Sequence, residues 1–178
     1  MSQPLPTFRY HPDPVGTGNI VAREMECGVC GKVRDHAYIG PYACPEPHFE
    51  NGDVICPWCI ADGSAAAAWK ASFAAPEYLS DLARATMTAD ALAELEQRTP
   101  SFLCIQQDRW LDHHGEACAY LGEVGAPEYA DLPEPAQQAV REVAGDNLAD
   151  LRADGDGPTV YLFACLHCPD HVAFYAGP

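Results

Sequence analysis

The chain has 178 residues, enough for one domain or two small lobes, with 48% apolar and 20% charged residues. Ten lysines and arginines against 26 aspartates and glutamates give a formal net charge of −16 and a pI near 4.5. This charge excludes a nucleic-acid binder that neutralises phosphates along a basic face, and it disfavours binding to anionic lipid surfaces.

The amino-terminal segment 1–17 carries four prolines and one arginine, and it lacks the apolar stretch of a secretory signal. No later run approaches the ~20 apolar residues of a membrane span. We therefore expect a cytoplasmic protein with no membrane partner and no nucleic-acid partner. In that compartment the nine cysteines are expected to be reduced thiols rather than a disulfide framework.

The cysteines are not spaced at random. Chance placement of nine cysteines would give about 0.4 pairs of the form C-x-x-C, yet the sequence contains three. Two thiolates three residues apart can reach one tetrahedral zinc ion, and a second pair from elsewhere in the fold completes its coordination. The three pairs are Cys27/Cys30, Cys56/Cys59 and Cys165/Cys168.

The first two pairs predict a zinc site in a treble-clef-like arrangement. Gly31 allows the turn after the first pair, Asn51-Gly52 is a turn signal before the second, and a helix is expected after Asp62-Gly63-Ser64. Redox use and buried cysteines without metal are the alternatives. A thioredoxin-like site is disfavoured because no helix is expected before Cys56. The predicted ligands are Cys27, Cys30, Cys56 and Cys59.

The middle of the chain is acidic and rich in alanine. It predicts one helix from Pro76 to Arg98, with Thr88 as an N-cap inside it, and another from Glu134 to Leu151. The simplest interpretation of both is a buried apolar side and a solvated acidic side. The simplest interpretation of His11 is that it is a residue of a proline-rich loop.

The third pair lies between two alternating segments, which predict two strands joined by a metal knuckle, as in half of a zinc ribbon. His114 and Cys118 would share one face if their segment were helical, and we favour them as the remaining ligands. The alternative is a packed β-hairpin whose cysteines are small buried hydrophobes. The predicted set is His114, Cys118, Cys165 and Cys168, and its competitors are Cys104, His113, His167 and His171.

Six segments of the chain together resemble the CbrC family of small bacterial proteins. The most specific of them is the block I-C-P-W-C-I-A-D-G-S-A-A at residues 55–66. The family is associated with colicin tolerance, and its biochemistry is uncharacterised. In the family pattern the position of His114 is commonly cysteine, so the resemblance favours His114 over His113 as a zinc ligand. The other segments are residues 8–15, 98–100, 106–113, 118–122 and 161–168.

These observations predict an α+β protein with two structural zinc ions. An N-terminal treble-clef-like lobe is expected over residues 1–75. Residues 76–178 are expected to hold acidic helices and a zinc-ribbon-like lobe, packed as one unit. We expect a protein-interaction or regulatory module whose partner, if macromolecular, is a basic protein. Two alternatives stay open, because no motif for acyl, phosphoryl or zinc-peptidase chemistry decides the matter. They are an enzyme with its site between the lobes and a zinc-thiolate sensor of redox or metal stress.

Overall fold

The computed structural model describes residues 3–45, 54–106, 108–153 and 157–177. Helices and strands are both present, so the predicted α+β class is confirmed, while Asn51-Gly52 lies outside the described residues. The chain forms two compact units: unit 1 comprises residues 1–76 and 88–103, and unit 2 comprises residues 77–87 and 104–178.

The described residues of unit 1 form two strands and three α-helices. They are β1 (Ile20–Glu26), β2 (Val33–Tyr38), α1 (Pro57–Ala61), α2 (Ser64–Trp69) and α4 (Ala89–Arg98). Strands β1 and β2 pair antiparallel, and an isolated bridge joins Tyr38 to Ile55 just before α1. The hairpin therefore forms across the first C-x-x-C pair, and the second pair begins where the bridge ends.

The core of unit 1 surrounds this hairpin and the first helices. Fully buried residues include Ile20, Ile55 and Ile60, and the cysteines of both pairs pack in the same cluster. Helix α4 contributes Leu95, which is also fully buried. The predicted cap at Thr88 is confirmed, since its hydroxyl accepts a hydrogen bond from the Ala91 amide at 3.2 Å.

Unit 2 contains the other α-helices and strands of the described residues. They are α3 (Asp81–Thr86), β3 (Asp112–His113), β4 (Glu116–Ala117), β5 (Ala119–Val124), α5 (Ala126–Tyr129), α6 (Glu134–Ala144), β6 (Thr159–Ala164) and β7 (His171–Ala176). Strands β5, β6 and β7 form an antiparallel sheet in that order. The predicted pair of strands around the third C-x-x-C pair is therefore present as β6 and β7, with Cys165 and Cys168 in their connection.

Helix α6 covers one side of this sheet. Its apolar positions Ala136, Ala139, Val140 and Ala144 are buried against β6 and β7, in a cluster that also includes Val160. Burial at positions 136, 139, 140 and 144 follows the helical repeat, Val143 packs half-buried against the same cluster, and Gln138, Arg141 and Glu142 are exposed.

The predicted long helices are each interrupted. The segment from Pro76 to Arg98 consists of a 3₁₀ turn, α3 and α4, because Ser80 and Thr88 each cap a new helix. The segment from Glu134 to Leu151 is α6 followed by a 3₁₀ turn, and Gly145 has a φ of 52° where α6 ends. Among the described residues, no helix has the length and apolar character needed to span a membrane.

Candidate metal centres

The first candidate centre is formed by Cys27, Cys30, Cys56 and Cys59, whose sulfur atoms all lie within 4.8 Å of one another. The four cysteines predicted from spacing are therefore brought together in unit 1. Three of them are fully or almost fully buried, and Cys30 is half-buried. The four cysteines come together because each pair occupies a short turn and the strand pairing brings the two turns close to each other.

Local structure explains how each pair is presented. Gly31, with a φ of 63°, donates its amide hydrogen to the Cys27 carbonyl at 2.8 Å and so closes the first turn. Pro57 occupies the first position of α1, where a missing N–H costs nothing, and Cys56 precedes it as the N-cap. The Cys56 amide donates to the Cys27 sulfur at 3.3 Å, which links the two turns directly.

The sulfur separations fit a tetrahedral ion. Zinc–sulfur bonds of 2.3 Å in tetrahedral geometry place the sulfurs about 3.8 Å apart. The Cys27 and Cys59 sulfurs are 3.9 Å apart. Hydrogen bonds from the thiols of Cys56 and Cys59 hold the pKa of Cys27 well below its usual range. The same contact with Cys27 raises the pKa of Cys56 to about 11. These thiols share protons through their hydrogen bonds. A bound divalent ion would instead favour the thiolate form of all four cysteines.

Arg34 and Trp58 border this centre. The guanidinium of Arg34 lies beside Cys30 and Cys56, and it stacks over the Trp58 ring at 4.7 Å. The Trp58 indole N–H donates to the Pro4 carbonyl at 2.9 Å. A four-thiolate zinc centre carries a net charge of −2, so a cation at this position offsets part of that charge.

The second candidate centre lies in unit 2 and consists of His113, His114, Cys168 and Asp170. Their ligand atoms also lie within 4.8 Å of one another. His113 and Cys168 are half-buried, whereas His114 and Asp170 are exposed. The predicted residues His114 and Cys168 are therefore brought together. His113, an alternative ligand in the sequence prediction, and Asp170, which was not predicted, join them.

The other two predicted ligands, Cys118 and Cys165, lie outside this group. Cys118 is fully buried between β4 and β5, and burial together with the nearby Cys165 raises its pKa to about 12. The Cys165 sulfur accepts a hydrogen bond from the His167 amide at 3.3 Å. The full set with Cys118 and Cys165 stays a prediction.

The segment that carries the histidines is a hairpin, not a helix. Strands β3 and β4 pair His113 with Glu116, and the two residues between them have positive φ, 55° at His114 and 76° at Gly115. Histidine-glycine thus takes the place of the asparagine-glycine usual in a type I′ turn. The i, i+4 argument for His114 and Cys118 does not apply, and Gly115 was the signal for the turn.

Comparisons with known proteins match nearly the whole chain to one protein family. A family model described as an uncharacterised protein family, UPF0167, matches residues 5–176. A UPF0167 protein of Mycobacterium bovis and one of Mycobacterium tuberculosis are each 43% identical over 185 aligned positions, covering 97% of this chain and 93% of the relative. A UPF0167 protein of Pseudomonas aeruginosa is 41% identical over 175 positions, covering 94% of both chains. No solved structure matches the chain.

Proposed function

The chain belongs to the UPF0167 family, and from that premise we propose that it is a zinc-binding protein-interaction module whose metal ions hold its fold together. The motifs that resemble the CbrC family all lie within the matched residues 5–176, which supports treating the two groups as one. The observation that carries the proposal is the set of four cysteine sulfurs in unit 1, within 4.8 Å of one another.

Four thiolates in tetrahedral geometry are typical of zinc or of iron–sulfur centres. Zinc is the choice here because two short C-x-x-C turns enclose a site the size of a single ion, as in structural zinc sites. A second ion is proposed for unit 2, where His114 and Cys168 belong both to the predicted set and to the observed group. Metal analysis of the purified full chain tests both ions, and iron with inorganic sulfide would contradict the choice of zinc.

Cys56→Ser tests whether the first ion holds the fold. The substitution leaves three thiolates around the ion, and because zinc binding contributes directly to folding in such sites, unit 1 should lose several kcal/mol of stability. Zinc content and thermal unfolding are the measurements. Cys44→Ser is the control, since Cys44 is a half-buried cysteine of unit 1 that lies outside the four-cysteine group. Wild-type stability with full zinc content in Cys56→Ser would contradict the structural role.

The interaction role rests on charge. Residues 77–150 contain 15 acidic residues against four arginines and no lysine, a net charge of −11 out of −16. Three of those arginines already pair with carboxylates inside the chain, at Asp81, Asp90 and Glu134. Exposed carboxylates in excess of local cations repel nucleic acid and favour a partner with a basic patch.

Binding at two salt concentrations tests this partner class. Lysate proteins retained by the immobilised chain in 50 mM salt should be basic, and they should elute in 500 mM salt because screening shortens the range of charge attraction. A duplex DNA probe should not be retained at either concentration. Salt-sensitive retention of DNA but of no protein would overturn the proposed partner.

A further inference from the structure

In unit 2, a group of four side chains has metal-binding chemistry of a kind different from that of the four cysteines. We propose that His113, His114, Cys168 and Asp170 form an exchangeable site for a divalent transition-metal ion, with Zn²⁺ as the first choice. This inference rests on the second ion of the proposed function and names its ligands. It keeps His114 and Cys168 from the predicted set and replaces Cys118 and Cys165 with His113 and Asp170.

The separations within the group match those around a bound ion. With zinc bonds of about 2.3 Å to sulfur and about 2.1 Å to nitrogen or oxygen, a tetrahedral ion places sulfur about 3.6 Å from either atom. The Cys168 sulfur lies 3.6 Å from His113 Nδ1 and 3.4 Å from Asp170 Oδ2. The rings of His113 and His114 have their centroids 4.1 Å apart.

Two short turns bring these side chains together. The turn between β3 and β4 presents two adjacent imidazoles, because His114 takes the left-handed conformation. The connection between β6 and β7 presents Cys168 and Asp170, and the Cys165 amide closes it by donating to the Asp170 carbonyl at 3.0 Å. The hairpin of β3 and β4 has two residue pairs, so an ion between the two turns would add a link that its strands alone do not supply.

Charge and exposure make this site exchangeable. One thiolate, one carboxylate and two neutral imidazoles leave a zinc ion with no net charge, whereas four thiolates leave −2. His114 and Asp170 are exposed, so a competing chelator can reach the ion, while the cysteines of unit 1 are largely buried. A site with mixed nitrogen, sulfur and oxygen ligands also suits cobalt and nickel, whereas a site of four thiolates is typical of zinc or of iron–sulfur centres. We therefore expect two classes of bound zinc, one lost slowly and one lost readily.

Zinc competition with a colorimetric chelator on the full-length protein tests the ligands. The wild-type chain should bind two zinc ions with different affinities. His113→Ala and Asp170→Asn should each weaken the more labile ion at least tenfold and leave the other unchanged. Cys118→Ala should keep both ions. His167→Ala is the matched control, because His167 lies in the same connection and pairs with Glu116 at 2.7 Å, outside the group. Retention of the tighter ion and an unchanged far-UV circular dichroism spectrum show that each variant still folds.

Cobalt substitution gives an independent count of thiolates. With the tighter site filled by zinc, Co²⁺ in the second site should show a thiolate charge-transfer band about a third as intense as three thiolates would give. A charge-transfer band of three-thiolate intensity would overturn the inference if the labile ion were also lost in Cys118→Ala and Cys165→Ala but not in His113→Ala. The ligands would then be those predicted from the sequence, with Cys118 and Cys165 in place of His113 and Asp170. A single tight zinc in the wild type would also overturn it, yet leave the first site of the proposed function intact. A chain without any zinc would instead contradict the proposed function itself.

Discussion

His11 lies in a proline-rich segment, and the sequence alone suggests nothing more than a loop residue there, but the structure places its side chain in a buried, hydrogen-bonded environment. Its side chain is fully buried in unit 1. Nδ1 donates to the Pro100 carbonyl at 2.8 Å, and Nε2 accepts from the Thr17 hydroxyl at 2.7 Å. Burial lowers its pKa to about 4, although the bond to Pro100 acts in the opposite direction. The folded protein thus keeps this imidazole neutral at pH values where the unfolded chain protonates it.

This shift predicts an acid-sensitive contribution to stability. Because the pKa falls from 6.5 in the unfolded chain to about 4 in the fold, the contribution is complete above pH 6.5 and is lost as the pH falls toward 4. Between pH 7.5 and pH 5 the loss amounts to about 2 kcal/mol. Urea unfolding at the two pH values, compared between wild type and His11→Gln, isolates this residue from other acid effects. Equal pH dependence in the two proteins would show that His11 does not cause it.

At the scale of elements, the hairpin of β3 and β4 depends on Gly115. Its φ of 76° is costly for any other residue, and a Cβ there would lie 2.6 Å from the Thr86 hydroxyl oxygen. That hydroxyl donates to the Gly115 carbonyl, which ties the turn to α3. The turn that carries His113 and His114 is therefore held by a contact with Thr86 that leaves no space for a side chain at position 115.

Gly115→Ala should destabilise unit 2 by about 1–2 kcal/mol through backbone strain alone, with a further loss from the contact with Thr86. Thermal unfolding of the variant measures the loss. In a Thr86→Ala background the same substitution should cost less, since the crowded atom is then absent. Wild-type stability in Gly115→Ala would contradict this account of the turn.

Regular local patterns made much of the fold predictable from the sequence. The strands around Cys165 and Cys168 followed from alternation, and the cap at Thr88 followed from its side-chain chemistry. The first cysteine group followed from spacing, because short turns fix the positions of their thiols. Strand β1 was not predicted, since its alternation is weak and six of its seven residues are not buried.

The second centre was only half predictable, for a different reason. The spacing of His114 and Cys118 predicts a shared helical face, whereas His114 adopts a left-handed conformation in a turn, which spacing does not reveal. Asp170 was missed because a single carboxylate carries no spacing signal, and only the tertiary structure brings it to Cys168. A ligand that is not part of a spaced pair reaches the site only through long-range packing, and the spacing of residues in the sequence does not show that packing.

For the whole molecule, the division into two units predicts separate responses to metal loss. Each unit has its own apolar cluster, and the four cysteines pack inside that of unit 1. Once a strong chelator has also removed the tighter ion of unit 1, amide exchange in β1, β2 and α1 should increase by at least tenfold. The amides of α6 and of the sheet β5, β6 and β7 should keep their protection. Hydrogen–deuterium exchange followed by mass spectrometry measures both, and uniform loss of protection would contradict separate responses.

The bridge between Tyr38 and Ile55 has a consequence for how the first site assembles. Cys30 and Cys56 are 26 residues apart, and closing a flexible loop of that length costs about 3 kcal/mol of chain entropy. The hairpin, the bridge and the amide-to-sulfur bond from Cys56 close this loop through the protein's own contacts. A metal ion entering this group would therefore meet two dithiols already held at high effective concentration. The folded chain would act as a preorganised chelator, whereas a flexible peptide with the same four cysteines would have to close the loop itself.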